Sequence, residues 1–295
     1  MAAPKPAVTV KSLVVAAADR LEASGAVFGH GTTNALDEAA WLVTHALGIA
    51  PGELGPHLED RVDPAKARAA RALVDRRIRT RKPAAYLLHE AWLGPHRFYV
   101  DERVIVPRSF IAELIRERFS PWLGPGQAPR RALDLCTGSG CLAILLAKAF
   151  SRAIVDGADL SPDALAVARR NVEDHRLTRR VRLVESDLFD ALAGRRYDLI
   201  VSNPPYVNAA SMRRLPAEYL AEPEMALASG GDGLRHTRAI LSAAREHLEP
   251  GGLLVVEIGH NRRALERAYP RLPFAWPAFA AGEGFVFVLR REDLP

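Results

Sequence analysis

The 295-residue chain holds only two cysteines, and Cys136 and Cys141 are spaced too widely for a Cys-x-x-Cys metal or redox motif. They read as small buried residues of a reducing cytosol. Its nine histidines are scattered with no His-x-x-x-His pair, so no metal is expected. No apolar run approaches the roughly 20 residues that cross a bilayer. The opening residues Met1-Ala2-Ala3-Pro4-Lys5-Pro6 lack the apolar stretch of a secretion signal. A cytoplasmic protein without a membrane contact is the expectation. Hydrophobic residues make up 48% and charged residues 25%, ordinary for a globular protein, and at about 150 residues per domain the length suits one large domain and a smaller one. A net charge of +5 favours an acidic partner only mildly; a solvated basic surface explains it as well.

The first ninety residues carry helical periodicity. Val10, Leu13, Val14, Ala17 and Leu21 recur on one face, with Ser24-Gly25 as a stop. A second helix follows Asn34 and presents Ala39, Leu42, Val43 and Leu47. A third opens on Asp63-Pro64, a capping carboxylate ahead of proline at the first helical position, and runs through Ala67, Leu73, Val74 and Ile78 to Pro83. Its end gathers Arg76, Arg77, Arg79, Arg81 and Lys82. That cluster is either a contact for ribosomal RNA or an acidic protein, or solvated charge favoured at a helix C-terminus.

Between residues 92 and 108 the pattern turns extended, with Phe98, Val100, Val104 and Val106 as apolar positions, and predicts a β-hairpin linking two domains. The boundaries predicted are 1–88 for a helical bundle, 89–108 for the linker and 109–295 for the larger domain. A helix with Ile111, Leu114 and Ile115 opens the last of these, and the loop from Gly124 through Pro125 to Pro129 leads into its sheet.

Within that domain the apolar run 132–136 meets Thr137-Gly138-Ser139-Gly140 and turns into a helix near Cys141. Glycines there let the backbone approach a ligand. Asp159 follows the next apolar run and is placed to accept ribose hydroxyls; Asp187, after the run 181–185, is placed to accept from an adenine amino group, with Leu188 against the ring. Asp134, just ahead of the glycines, is either an acceptor for an ammonium group or a strand-end turn carboxylate. Gly138-Ser139-Gly140-Cys141-Leu142-Ala143 also satisfies the dinucleotide fingerprint. A nicotinamide enzyme needs a proton donor that nothing in the chain announces, and would leave the next motif without a task.

That motif is Asn203-Pro204-Pro205-Tyr206, after the apolar run 197–201. The prolines have no N–H, so the loop presents acceptors, Asn203 Oδ1 and the Pro204 carbonyl, with few competing donors. Such a pair suits a planar NH2 group, and Tyr206 adds an aromatic wall. Read alone, Asn-Pro-Pro-Tyr is also a stiff turn.

Together with Asp134, Cys136, Ser186-Asp187-Leu188-Phe189 and the segment from Glu222-Pro223-Glu224 to Asp232-Gly233-Leu234, these motifs resemble the HemK-type protein glutamine methyltransferases over nearly the whole chain. Ala91-Trp92-Leu93, the residues from Phe98 to Val104, Val106-Pro107-Arg108-Ser109 and Leu135-Cys136-Thr137-Gly138 resemble the PrmB branch of that family. The resemblance implies an α/β class I methyltransferase fold, Rossmann-like, with seven mostly parallel strands and the last antiparallel. It implies S-adenosylmethionine as cofactor, S-adenosylhomocysteine as product, and a glutamine of large-subunit ribosomal protein three as target. A sister branch acts on peptide release factors. The site it implies puts Asn203, Pro204 and Tyr206 in catalysis. Asp134, Cys136, Thr137, Gly138, Ser139, Gly140, Asp159, Leu160, Asp187, Leu188 and Asn203 hold the cofactor, and Pro205, Arg108 and Glu222 join the substrate contacts, with a purely structural Arg108 as the alternative. Pro95 and Phe110 depart from the glycine and proline expected there, and Cys136 replaces a glycine common in the wider family. Two rivals remain, an adenine-N6 DNA methyltransferase, which would need a base-flipping region, and a non-catalytic ribosome assembly factor.

Overall fold

In a computed structural model describing residues 7–124 and 126–295, the chain divides into two compact units, Met1–Ala91 with Pro216–Ala221, and Trp92–Leu215 with Glu222–Pro295. Residues 1–6 and Pro125 of the entry loop lie outside the described residues.

The first unit contains the three expected helices, α1 (Val10–Ala23), α2 (Ala35–Leu47) and, after a single turn α3 (Leu54–His57), α4 (Pro64–Thr80). A further short helix, α5 (Ala84–Leu88), follows. Their ends are set by local chemistry. Thr9 and Ser12 form a reciprocal cap for α1, Asn34 caps α2 and Gly48 ends it in the left-handed region, and Asp63 Oδ1 accepts from the N–H groups of Ala65 and Lys66. Leu21, Leu42, Val43, Ala70 and Val74 form its core. The basic cluster at the end of α4 is not one surface. Arg77 is fully buried; it donates to Glu38 Oε1 at 2.7 Å, Glu218 Oε1 at 3.2 Å and the Val27 carbonyl at 3.0 Å. Arg81 donates to the carbonyls of Ser24 and Gly25 and to Glu218. A buried guanidinium needs such partners to offset its desolvation. Glu218 belongs to the Pro216–Ala221 segment, so the second unit is not the continuous run 109–295.

The second unit begins with a hairpin shorter than the ribbon expected over 92–108. Strands β1 (Ala91–Leu93) and β2 (His96–Phe98) turn at Gly94, whose φ is +58°. Beyond Phe98 the chain leaves the ladder. Asp101 organises it, taking Arg103 on both oxygens at 2.9 and 2.6 Å and the Tyr99 hydroxyl at 2.8 Å. Helix α6 (Ile111–Arg116) follows, and Phe110 ahead of it stacks on Phe285 with ring centres 4.7 Å apart.

The central sheet contains β3 (Arg131–Leu135), β4 (Ile154–Asp159), β5 (Val181–Glu185), β6 (Tyr197–Ser202), β7 (Leu248–Glu257) and, after the small hairpin β8 (Ala278–Phe279) and β9 (Gly282–Glu283), β10 (Val286–Arg290). Their order is β10-β7-β6-β3-β4-β5, parallel except for β10. The expected antiparallel last strand is present; among the described residues the sheet has six strands where seven were expected. At the β10 edge only a single bridge from Ala275 to Val288 occurs. Pro273 and Pro277 flank Ala275 and have no N–H to extend a ladder.

Helices α7 (Cys141–Ala149) and α8 (Pro162–Asp174) connect the first three sheet strands; the single turn α9 (Ala209–Met212), α10 (Arg235–Ala243) and α11 (Arg262–Ala268) come later. Apolar layers cover both faces of the sheet, one with Leu142, Ile144, Leu146 and Val255, the other with Ile200, Ile240, Leu241 and Leu254. The register aligns Leu135 with Ala158 on β4 and Ser202 on β6. The carboxyl ends of β3, β4 and β6 are therefore level, and the strand order reverses there, where open α/β sheets bind ligands.

Candidate active site

The loop after β3 is shaped from beneath. Asp134 is buried; its Oδ2 accepts from the Thr137 hydroxyl at 2.5 Å and the Ala143 N–H at 2.9 Å. Burial pushes its carboxyl up to about 7 against the pull of those two bonds. Cys136 has φ +62°, a left-handed backbone that glycine adopts without cost and that accounts for glycine at this position in the wider family. Burial pushes the Cys136 thiol up, and that of Cys141 up to about 12, so neither is a thiolate nucleophile. Gly140 packs against α8, where an added Cβ would meet the Ala168 Cβ at 3.1 Å.

Past the β4 end, Asp159 accepts from the Gly138 N–H at 2.8 Å and the Ser161 N–H at 2.9 Å. Burial raises its carboxyl above the usual range while these bonds lower it. Each oxygen keeps a second lone pair for a ligand. Past β5, Ser186 ties its own loop, donating to the Leu188 carbonyl at 2.8 Å and accepting from the Ala191 N–H at 3.0 Å.

One cavity joins these loops. Among the expected residues it gathers Cys136, Gly138, Asp159 and Leu160 with Asp187, Leu188, Asn203 and Pro205. Asp134, Thr137, Ser139 and Gly140 do not line it; they brace the loop from behind. Tyr206 and Pro204 do not line it either. Tyr206 lies on Gly259, where a Cβ would meet its ring at 2.7 Å, and its carbonyl accepts from Asn261 Nδ2 at 2.8 Å.

Arg108 and Glu222, placed among the substrate contacts with a structural Arg108 as the alternative, hold one another. Arg108 Nη1 and Nη2 donate to Glu222 Oε1 and Oε2 at 2.5 and 2.6 Å, and Oε1 also accepts from the Val106 N–H at 2.9 Å. A two-pronged pair of this kind is strong and directional. The cavity wall also includes residues not anticipated, among them Arg103, Val104 and Ile105 from the stretch after β2, and Met225, Ala226 and His236. Only His236 had a signal to offer, a titratable side chain two residues beyond Leu234 at the end of the acidic glycine segment.

The polar atoms fit an adenosyl group. Asp159 and Asp187 offer acceptors at neighbouring strand ends, Leu188 an apolar face, and Asn203 Oδ1 is shielded from water with no hydrogen-bond partner among the described residues. No cluster of His, Cys, Asp or Glu able to hold a metal occurs among those residues, and no helix described is long and apolar enough to cross a membrane.

This sheet with its strand-end cavity defines a class I methyltransferase. A family model described as the methyltransferase small domain matches residues 123–235, and one described as the PrmC N-terminal domain matches residues 13–88. Among solved structures, the hMettl16 catalytic domain in complex with the MAT2A 3′UTR hairpin 1 aligns with a TM-score of 0.52 at 16% identity, covering 84% of this chain and 89% of that one; this likeness concerns the fold. The ribosomal protein uL3 glutamine methyltransferase of Neisseria meningitidis serogroup B is 52% identical over 97% of this chain and 94% of its own. Its counterpart from Burkholderia pseudomallei is 48% identical over 99% and 97%. The chain belongs to the family of ribosomal protein uL3 glutamine methyltransferases.

Proposed function

We propose that this chain methylates N5 of a glutamine side chain in ribosomal protein uL3 with S-adenosylmethionine as donor, in the cytoplasm. The observation that carries the chemistry is Asn203 Oδ1, a buried acceptor without a donor at the wall of the strand-end cavity; a buried amide oxygen left in this state costs stability unless a ligand supplies the donor.

An amide nitrogen is a poor nucleophile because its lone pair is delocalised into the carbonyl. Bound S-adenosylmethionine supplies an electrophilic methyl group on sulfur. Asn203 Oδ1 and the Pro204 carbonyl each accept one N–H of the glutamine amide, holding the nitrogen in line with that methyl group. As the N–C bond forms and the S–C bond breaks, positive charge develops on nitrogen and both hydrogen bonds strengthen, so this binding favours the transition state. Positioning alone contributes on the order of 7–11 kcal/mol. The spare proton on nitrogen then leaves to solvent. Asp159 receives the ribose hydroxyls, Asp187 and Leu188 the adenine, and Tyr206 stiffens the reacting loop.

The uL3 target rests on the relatives' activity and on their near full-length match. In the same proposal the helical unit recognises the protein substrate, and the exposed Arg76 and Arg79 are the part of the basic cluster left to meet ribosomal RNA.

The test is a methyl-transfer assay with labelled S-adenosylmethionine, offering uL3, a release factor and adenine-containing DNA side by side, with Asn203→Ala as control. Label on a uL3 glutamine that Asn203→Ala abolishes, with donor affinity retained, is the expected result. Label on the release factor moves the target to the sister branch, label on DNA overturns the protein substrate, and near-normal turnover by Asn203→Ala sinks the mechanism.

A further inference from the structure

We propose that a groove lined by the β1–β2 hairpin, α6 and the end of α7 binds an unpaired stretch of RNA, with phosphates on Lys148 and Arg116 and a base against Phe110 and His96. The choice of RNA rests on the function assigned above, since RNA is the polyanion in which a ribosomal protein is embedded.

The groove lies within the second unit, has a volume of about 650 Å3 and shares no lining residue with the strand-end cavity. Its lining is largely apolar, with Leu93 from β1, Ile115 from α6 and Leu145 and Ala149 from α7. Pro95 and Phe110 line it too. These are the two positions that depart from the family pattern, and the strand-end site gives neither of them a task. Phe110 is half-buried and backed by Phe285, with ring centres 4.7 Å apart and planes 15° from parallel. Burial, with Lys148 and His175 as cationic neighbours, holds His96 below the usual histidine range, so near neutral pH it presents a flat uncharged ring. Aromatic faces in a basic groove are what unpaired bases stack on.

The charged residues of the groove are unevenly spent. Arg108 is held by Glu222. Arg118 Nη1 donates to the Ala149 carbonyl at 2.6 Å, and its guanidinium lies 4.8 Å from the centre of the Phe150 ring. Lys148 makes no hydrogen bond or ion pair among the described residues. Arg116 meets only Glu117, at 4.0 Å, with the two side chains 73% and 58% exposed, a pair that contributes little. A cation at a helix C-terminus is ordinarily explained by the helix dipole. At the end of α7 that role is already filled, because Arg118 holds the Ala149 carbonyl and Arg180 the Ala147 carbonyl. Lys148 is surplus to capping and available to a phosphate.

Glu113, the one acid of the lining, distinguishes between polyanions. It would repel the carboxylates of an acidic peptide. A nucleotide can meet it with an exocyclic amino group, the donor that a carboxylate accepts from cytosine. An unpaired strand brings a phosphate, a flat face and an amino donor together, whereas a duplex keeps its base faces stacked inside.

The experiment follows the fluorescence anisotropy of a labelled single-stranded RNA of about 12 nucleotides, a length within the span of such grooves. The same RNA as a duplex and a labelled polyglutamate are the comparisons. The full chain is tested as wild type and as Lys148→Ala with Arg116→Ala, and calorimetric titration with S-adenosylhomocysteine, expected to be unchanged, shows that the double variant is folded. The double variant is expected to bind the single strand about tenfold more weakly, with the salt slope of log affinity reduced by roughly 0.7 for each cation removed. Ultraviolet crosslinking of wild type to the RNA, read by peptide mass spectrometry, should place nucleotides on residues 93–118 or 145–149 and needs no variant. Unchanged affinity and slope in a folded double variant, equal affinity for the duplex, tighter binding of polyglutamate, or crosslinks confined to residues 7–91 overturn the proposal. If wild type fails to label uL3 the functional reading falls, and the binding curves and crosslinks still decide what the groove holds.

Discussion

Arg108 and Glu222 are 114 residues apart in sequence and meet through two parallel hydrogen bonds, 2.5 and 2.6 Å long. They tie the stretch leading into α6 to the segment that resumes the second unit after Ala221. The Glu222 side chain is wholly buried and that of Arg108 is 24% exposed. Removing the cation strands a buried carboxylate, so Arg108→Ala is expected to destabilise the protein by about 3 kcal/mol. Arg108→Lys keeps the charge but loses the fork and should recover only part of that. Urea denaturation of the three proteins checks both statements; an Arg108→Ala variant as stable as wild type would return Arg108 to the substrate contacts.

Glu257, at the end of β7, accepts from the Ser109 hydroxyl at 2.6 Å and the Phe110 N–H at 3.0 Å, and burial still pushes its carboxyl from the usual 4.5 up to about 7. The native state holds this proton more tightly than the unfolded chain does. The stability linked to it is fully present below about 4.5 and is lost as pH rises through about 7. Asp134, also raised to about 7, acts in the same direction. Unfolding free energies at pH 5 and pH 8 are expected to differ less in Glu257→Gln than in wild type, by about 3 kcal/mol at most. An unchanged difference would show that Glu257 titrates normally.

Asp159 is the residue on which donor affinity should depend. Each hydrogen bond to a charged group contributes about 1.5–3 kcal/mol, so Asp159→Asn is expected to weaken S-adenosylmethionine binding by ten- to a hundredfold, with a smaller effect on kcat at saturating donor. Calorimetric titration against S-adenosylhomocysteine measures this directly. Unchanged affinity would remove Asp159 from the proposed ribose contact.

The strands of the sheet were legible as short apolar runs, and the predicted run 181–185 coincides with β5. The helix caps at Asn34 and Asp63 were legible from local signals as well. What escaped was set by distance in sequence. Arg77 looks like one cation in a basic run, and its burial depends on Glu218, 141 residues away. The missing seventh strand depends on two prolines either side of Ala275, a local signal that the family resemblance outweighed. Asp159, Asp187 and Asn203, read from their place after apolar runs, are brought to one cavity by the structure. Asp134, a strand-end carboxylate like Asp159, does not line that cavity, and nothing local distinguishes the two cases.

Gly259 offers the sharpest test of the reacting loop's stiffness. Its φ is +54° and an added Cβ would lie 2.7 and 2.9 Å from Tyr206 Cε2 and Cδ2. Gly251 also has positive φ, +75°, with nothing within 4 Å of its Cβ position. Both alanine variants incur the strain of a left-handed backbone, about 1–2 kcal/mol, but only Gly259→Ala must also move the Tyr206 ring. The two are therefore expected to lose similar stability in thermal melts, with the Gly259 variant somewhat lower, while kcat falls about tenfold in Gly259→Ala alone, as a displaced reacting group would cause. Equal kcat in both would mean that Tyr206 does not stiffen the loop that carries Asn203.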